Sequence, residues 1–298
     1  MSEVRTGTML AQRQSLPLDA KVVLTQRRII EWHDHWQGDI CVSVSGGKDS
    51  LVLLHQVRKL YPKTVAVFVD TGLEYPEVRE CALAIPNLIV LKPKLAFPQV
   101  IAKYGYPVVS KEQAQFVFQT RTGKSEKLKQ IRLHGNKWGR GKISEKWKFL
   151  LDAPFPISHK CCHYLKKQPF EVFDKQTGLK AMIGTTAAES SKRATDWVRF
   201  GCNAFDTKRP LGRPLSVWTD DDIWQYIRAN NIDYPAVYDM GYKRTGCMFC
   251  MFGVHLEREP NRFQLMQKTH PKQYEYCIHK LGLGKVLDYI GVHYSAEQ

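Results

Sequence analysis

The stretch DICVSVSGGKDS, residues 39–50, decides the fold. Residues 39–45 alternate apolar and polar and then stop at two glycines, and a run of helix formers with apolar spacing follows from Asp49 to Leu60. Alternation of period two marks a strand and apolar spacing of three to four marks a helix, so the segment reads strand, loop, helix. The loop falls where an α/β sheet binds its ligands, at the carboxyl end of a strand. Gly46 and Gly47 let backbone N–H groups approach an anion, Ser45 and Ser50 offer hydroxyls, Lys48 adds charge, and the helix start, with Asp49 in its first turn, adds its dipole. Phosphate is the ligand these groups suit. The spacing is not that of a Walker A loop, which needs four residues between its glycines and a Gly-Lys-Ser/Thr ending.

Working outward, the apolar run Val65–Val69 ends at Asp70, Thr71 and Gly72, a helix opens at Pro76, and a third apolar run covers Leu88–Leu91. Strands alternating with helices predict an α/β fold, a doubly wound parallel sheet covered on both faces. The same periodicities predict a helix near Tyr164–Phe173, a strand over Leu179–Ile183 and a helix opening at Thr219, where Asp220, Asp221 and Asp222 suit the positive helix end. Trp218, Ile223, Trp224 and Ile227 have the spacing of a core stripe. The sheet-forming part is expected to end before Tyr234-Pro235, giving a nucleotide-binding α/β domain over 1–235 and a small helical, cysteine-containing region over 236–298.

The formal net charge is +15 and the pI near 9.4, which implies an acidic partner. From Ser110 to Lys148, eleven Lys or Arg stand against three Glu, so this insert over 110–150 carries about half the net charge. One expectation for it is a solvated face. The other is a nucleic-acid track in which Arg121, Lys124, Lys127, Lys129, Arg132, Lys137, Arg140 and Lys142 follow a phosphate backbone and Trp138 stacks on an exposed base. No stretch of eighteen apolar residues occurs, and the first ten residues lack the order of a secretory signal, so the expectation is a cytoplasmic protein with no membrane partner.

Eight cysteines in such a chain point to metal or redox chemistry more than to disulfides. Cys161 and Cys162 are adjacent, and Cys247 and Cys250 form a C-x-x-C pair within GYKRTGCMFCMFG. Four thiolates in two pairs suit zinc or an iron–sulfur cluster, and spacing alone leaves both open. Cys41, Cys81, Cys202 and Cys277 are isolated and read as small core residues.

With these motifs in hand, the chain resembles the phosphoadenylyl-sulfate reductase family of the adenine nucleotide alpha hydrolase superfamily. SGGKDS looks like the pyrophosphatase loop of that superfamily, and FVDTGLEYPE, residues 68–77, resembles the second signature of the reductase branch. IGTTAAESSKRATDW, residues 183–197, and residues 213–247 resemble two further family segments. The resemblance implies that Asp70, Thr71 and Gly72 lie beside an adenine nucleotide, and that Gly184, Ser190 and Arg193 contact it or its sulfate. It implies a [4Fe–4S] cluster on Cys161, Cys162, Cys247 and Cys250, and it makes Lys243 and Arg244 candidates for an anion contact near that cluster. Two departures qualify it. Thr186 stands where the family usually has an arginine, and DYIGVHYSAEQ lacks the cysteine of the family's C-terminal Glu-Cys-Gly-Leu-His motif.

The functional expectation is therefore an ATP pyrophosphatase that adenylates a substrate for sulfur insertion, resembling the enzymes of DNA phosphorothioation and of tRNA thiolation. Catalysis would fall to Lys48, Ser45 and Asp49, with ATP and magnesium at the loop and a sulfur-donor protein such as a cysteine desulfurase as partner. The alternatives are a reductase releasing sulfite from phosphoadenylyl or adenylyl sulfate (PAPS or APS), and a non-catalytic iron–sulfur protein that binds nucleic acid.

Overall fold

A computed structural model describes residues 5–295. The chain folds as two compact units. The first comprises residues 1–70, 76–91 and 170–237. The second comprises residues 71–75, 92–169 and 238–298.

The first unit holds one six-stranded sheet: β1 (Ile40–Val44), β2 (Val65–Val69), β3 (Leu88–Leu91), β4 (Lys180–Ile183), β5 (Asn203–Ala204) and β6 (Leu211–Gly212). Their order across the sheet is β3-β2-β1-β4-β6-β5. All neighbours are parallel except the short β5–β6 pair at one edge, so the expected α/β parallel sheet is the observed one. The register sets Ile40 beside Lys180 and Cys41 beside Val65. Strand order reverses between β1 and β4, and the crevice beyond their carboxyl ends is the switch point at which such sheets take ligands. Val42, Ala66 and Met182 are fully buried, as strands covered on both faces require.

Helices Leu18–His35, Lys48–Leu60 and Asp220–Asn230 line the core of this unit, where Trp32, Trp218, Leu53 and Ile223 are inaccessible to solvent. The predicted stripe holds: Trp218, Ile223 and Ile227 are buried and Trp224 packs against the same cluster. Thr219 caps its helix as the sequence suggests, its hydroxyl accepting from the Asp222 N–H at 3.3 Å while the Asp222 carboxylate accepts from the Thr219 N–H at 2.6 Å.

The second unit is helical. Helix Lys111–Thr122 and helix Glu126–His134 form a hairpin, and Arg262–Thr269, Pro271–Glu275 and Leu283–Tyr289 follow the C-x-x-C turn. The expected helix near Tyr164 begins in this unit as a π-turn over His163–Lys167 and continues as Gln168–Thr177, whose residues from Phe170 onward belong to the first unit. No helix among the described residues is long and apolar enough to cross a membrane.

Candidate functional sites

The first site is built at the end of β1. Gly46 has φ +76°, and a Cβ there would lie 2.4 Å from the Val78 carbonyl oxygen, so both conformation and space demand glycine. Ser45 N–H donates to Ser50 Oγ at 3.1 Å, and Ser50 Oγ donates to the Gly47 carbonyl at 2.8 Å, which fixes the loop over the helix start. The helix Lys48–Leu60 has Gly47 as its N-cap and no capping side chain, the arrangement that leaves a helix end to an anion. From β4, Gly184 presses against the same turn, where a Cβ would stand 2.5 Å from the Asp49 carbonyl oxygen.

Lys48 is 4% exposed. Its ammonium is paired with Asp49 at 3.3 Å and with Asp220, and lies 5.7 Å over the Trp224 ring. Burial pushes the Asp49 carboxyl up from its ordinary value, with the Lys48 charge opposing. Asp70 is buried, and both its oxygens accept from Arg79, at 3.2 Å from Nε and 2.9 Å from Nη2. Ser190 caps the helix Ser191–Phe200 by accepting from the Arg193 N–H, and the Arg193 guanidinium pairs with Glu189. Thr186, the departure from the family pattern, is buried, and its N–H donates to Glu189 at 3.0 Å. Sequence reasoning named Asp220 only as a helix-end charge and missed Arg79.

The second site lies wholly in the second unit. Cys161, Cys162, Cys247 and Cys250 line one small recess, walled by Leu73, Phe97, Leu165 and Phe249 and entered by Lys166. The chain brings them together from three segments. The Met248 N–H donates to the Leu73 carbonyl at 2.8 Å, which docks the C-x-x-C turn on residues 71–75, and the Gly253 N–H donates to the Val109 carbonyl at 2.7 Å. Arg262 closes the far side by donating to the Cys250 carbonyl at 3.1 Å while it holds Glu257. Thr71 and Gly72 belong to this unit: the Thr71 N–H and hydroxyl bond Glu74, and Gly72 has φ +72°.

Cys161 Sγ donates to Cys162 Sγ at 3.9 Å. That donation, with Lys111, Lys166 and Lys167 nearby, brings the Cys162 thiol down to about 6, and the same pairing raises Cys161. Burial raises Cys247 and pushes Cys250 up to about 12. Lys166, whose side chain bonds Cys247, is held charged chiefly by that cysteine. Among the described residues, no three His, Cys, Asp or Glu side chains converge on a position for one metal ion.

The basic insert is an ordered hairpin in this second unit, and its nine named residues divide. Arg132 is internal: it donates to Gln119 Oε1 at 2.8 Å and the Gly141 carbonyl at 2.7 Å and lies 4.1 Å over the Phe116 ring. Lys129 pairs with Glu126, and Arg121 donates to the Phe155 carbonyl. Lys124, Lys127, Lys137, Trp138, Arg140 and Lys142 are exposed. Lys243 and Arg244 are also exposed.

The model of the phosphoadenosine phosphosulfate reductase domain matches residues 39–252. The chain is 25% identical over 232 residues to an adenosine 5'-phosphosulfate reductase of Oceanobacillus iheyensis, covering 75% of this chain and 76% of the relative. It is 26% identical over 225 residues to one of Staphylococcus epidermidis, covering 74% of each. Among solved structures it is similar to a phosphoadenylyl-sulfate reductase from Candida auris, with TM-score 0.45 and 18% identity over 75% of this chain and 87% of that one. It is also similar to the U34-tRNA thiolase NcsA from Methanococcus maripaludis with its [4Fe-4S] cluster, with TM-score 0.41 and 13% identity over 94% and 86%.

Proposed function

Since the chain belongs to the phosphoadenosine phosphosulfate reductase domain family, we propose that it is an ATP pyrophosphatase of that family which adenylates a nucleic acid for sulfur insertion. The acceptor oxygen attacks the α-phosphate, the bond between the α- and β-phosphates breaks, and pyrophosphate leaves. The loop N–H groups and Lys48 neutralise the departing charge, and Ser45, Ser50 and Asp49 hold the loop and its lysine in position. The terminal sulfur of a persulfide on a donor protein such as a cysteine desulfurase then attacks the activated atom and displaces AMP, and a second thiol of the donor cleaves the resulting S–S bond, leaving sulfur on the acceptor and a disulfide on the donor.

The observation that carries this reading over sulfite release is the state of the isolated thiols. A reductase that passes through a cysteine thiosulfonate needs a nucleophilic thiolate. Burial pushes Cys41 and Cys277 up to about 12 and raises Cys81 and Cys202 as well. Cys41, Cys202 and Cys277 are also buried, so none of these three is open to a substrate. The exposed lysines and arginine of the hairpin supply the charge a polyanionic acceptor needs.

Four thiolates lining one recess suit a [4Fe–4S] cluster or zinc, and the resemblance of the tandem pair and distant C-x-x-C to the family's cluster motif favours the cluster. When bound there, the cluster supplies a soft, redox-active centre for sulfur chemistry. Lys166 offsets the negative charge of its thiolates.

The second reading, a reductase acting on adenylyl sulfate, is favoured by the names of the relatives at about 25% identity. Pyrophosphate release from ATP by anaerobically prepared protein, with and without DNA or tRNA and with a Lys48→Ala control, separates the two. Lys48-dependent release stimulated by nucleic acid is expected. Absence of release, together with sulfite formed from adenylyl sulfate, would replace adenylation with reduction.

A further inference from the structure

We infer that the turn Gly135–Gly141 is a stacking site for an unpaired base of a nucleic-acid strand, with Trp138 as its platform. The inference rests on the nucleic-acid acceptor proposed above and specifies its form: a strand with an exposed base rather than a closed duplex.

Trp138 is 69% exposed, far more than Trp147, the other tryptophan of the insert, at 8%. An isolated exposed ring would carry little meaning, but this one is held by a built turn. Asn136 Oδ1 accepts from the N–H groups of Trp138 and Arg140, both at 3.0 Å. The Asn136 N–H donates to the Arg140 carbonyl at 2.8 Å, and the Gly139 N–H donates to the Asn136 carbonyl at 2.7 Å. Gly135, Gly139 and Gly141 all have positive φ, at 96°, 70° and 80°. Beneath the turn, Arg132 fastens Gly141 to Gln119 and the Phe116 ring. The backbone that carries the tryptophan is thus fixed before any ligand arrives, which lowers the entropy lost on stacking.

Its surroundings are cationic. Lys137 Nζ lies 4.3 Å from the Trp138 ring, and Arg140 and Lys142 are exposed on the same turn. A base on the ring with its flanking phosphates on these charges is the combination by which single strands are held. Along its length a closed duplex presents no base face to such a ring.

The hairpin closes on its first helix through Arg132 at Gln119 and through the Ser144 N–H, which donates to Gln113 Oε1 at 3.0 Å.

The test is fluorescence anisotropy with the full-length protein, using a labelled single-stranded deoxyoligonucleotide, the ribo-oligonucleotide of the same sequence, and the blunt DNA duplex. Trp138→Ala is expected to weaken single-strand binding about tenfold, with the salt slope unchanged and duplex binding unaffected. Trp138→Phe should keep most of the affinity, and Lys124→Gln with Lys127→Gln should lower the salt slope while dependence on Trp138 persists. Whichever single strand shows the Trp138 effect more strongly identifies the sugar of the acceptor. Salt-dependent binding indifferent to Trp138 would overturn the stacking site and leave the nucleic-acid acceptor standing. No binding of any probe by the wild type at low salt would remove both.

Discussion

Gly184 and Asp49 touch backbone to backbone: a Cβ on the glycine would stand 2.5 Å from the Asp49 carbonyl oxygen and 2.8 Å from the Ser50 Cα. The contact ties the end of β4 to the first turn of the phosphate-loop helix. Gly184→Ala therefore forces one of them to move, and overpacking of this kind costs about 1–3 kcal/mol. Urea unfolding should show a lowered midpoint, and pyrophosphate release should fall further than stability alone explains. Gly253→Ala, where φ is +80° but nothing lies within 4 Å of the added atom, should cost about 1–2 kcal/mol and leave the phosphate loop intact.

Lys48 meets carboxylates before it meets phosphate. Asp220 shares the lysine ammonium, yet its own side chain is 69% exposed, so it is an easily displaced partner. Asp220→Asn is expected to tighten pyrophosphate binding severalfold, with a loss of about 0.3–1 kcal/mol in stability from the removed charge at the helix start. Competition titration against a fluorescent nucleotide reads the first effect. Unchanged or weakened pyrophosphate binding would mean that Asp220 assists the lysine rather than competes for it.

Thiol reactivity provides an independent measure of the cysteine assignments. With iodoacetamide at about pH 8, Cys41 and Cys277 should stay unmodified in the folded protein, because both are fully buried and their thiols are pushed up to about 12. Mass spectrometry of protein freed of any bound metal should find label first on Cys162, the thiol drawn down to about 6. Early labelling of Cys277 would return a nucleophile to the chain and revive the reductase reading.

Acid should destabilise the fold through its histidines. Burial lowers His55, His159 and His255 below the ordinary histidine value, with Lys59 also acting on His55 and Lys146 on His255. A lowered value means the folded state binds fewer protons than the unfolded chain, so stability is present above about pH 6.5 and is lost as pH falls toward the folded-state values. His55 Nδ1 lies 3.0 Å from the Tyr226 hydroxyl, and His55→Gln should flatten part of this slope in urea titrations at several pH values. An unaltered slope would assign the acid sensitivity to the other two rings.

The parts of this molecule legible in the sequence were those written locally. The β1 strand, its glycine loop and the following helix occupy one short stretch, and alternation, glycine and helix formers identify them without a partner. Thr219 and its carboxylates announce a helix start in the same way. What escaped depends on how side chains meet in the folded unit. Asp220 on Lys48 leaves no periodic trace, because the two segments lie far apart in the chain, and Arg79 on Asp70 depends on how the helix Pro76–Leu83 settles over the end of β2. The charge count of the insert treated Arg132 as equivalent to Lys137, although the hairpin turns one inward and the other outward. The boundary expected near Tyr234-Pro235 was drawn from local composition, whereas the grouping of residues 71–75 and 92–169 with 238–298 leaves no local mark.

The interleaving of the two units has a consequence for biosynthesis. β1 pairs with β4 at Ile40 opposite Lys180, so the strand that carries the phosphate loop lacks one neighbour until the ribosome has made the whole intervening stretch. The second cysteine pair comes later still, at Cys247 and Cys250, so Cys161 and Cys162 leave the ribosome well before their companions. Domains ordinarily fold as units during synthesis, N-terminal first, but here neither unit can close early. Nascent chains should therefore pass through a long interval with unpaired strand edges and bare thiols, in which chaperone binding and oxidative damage compete with folding.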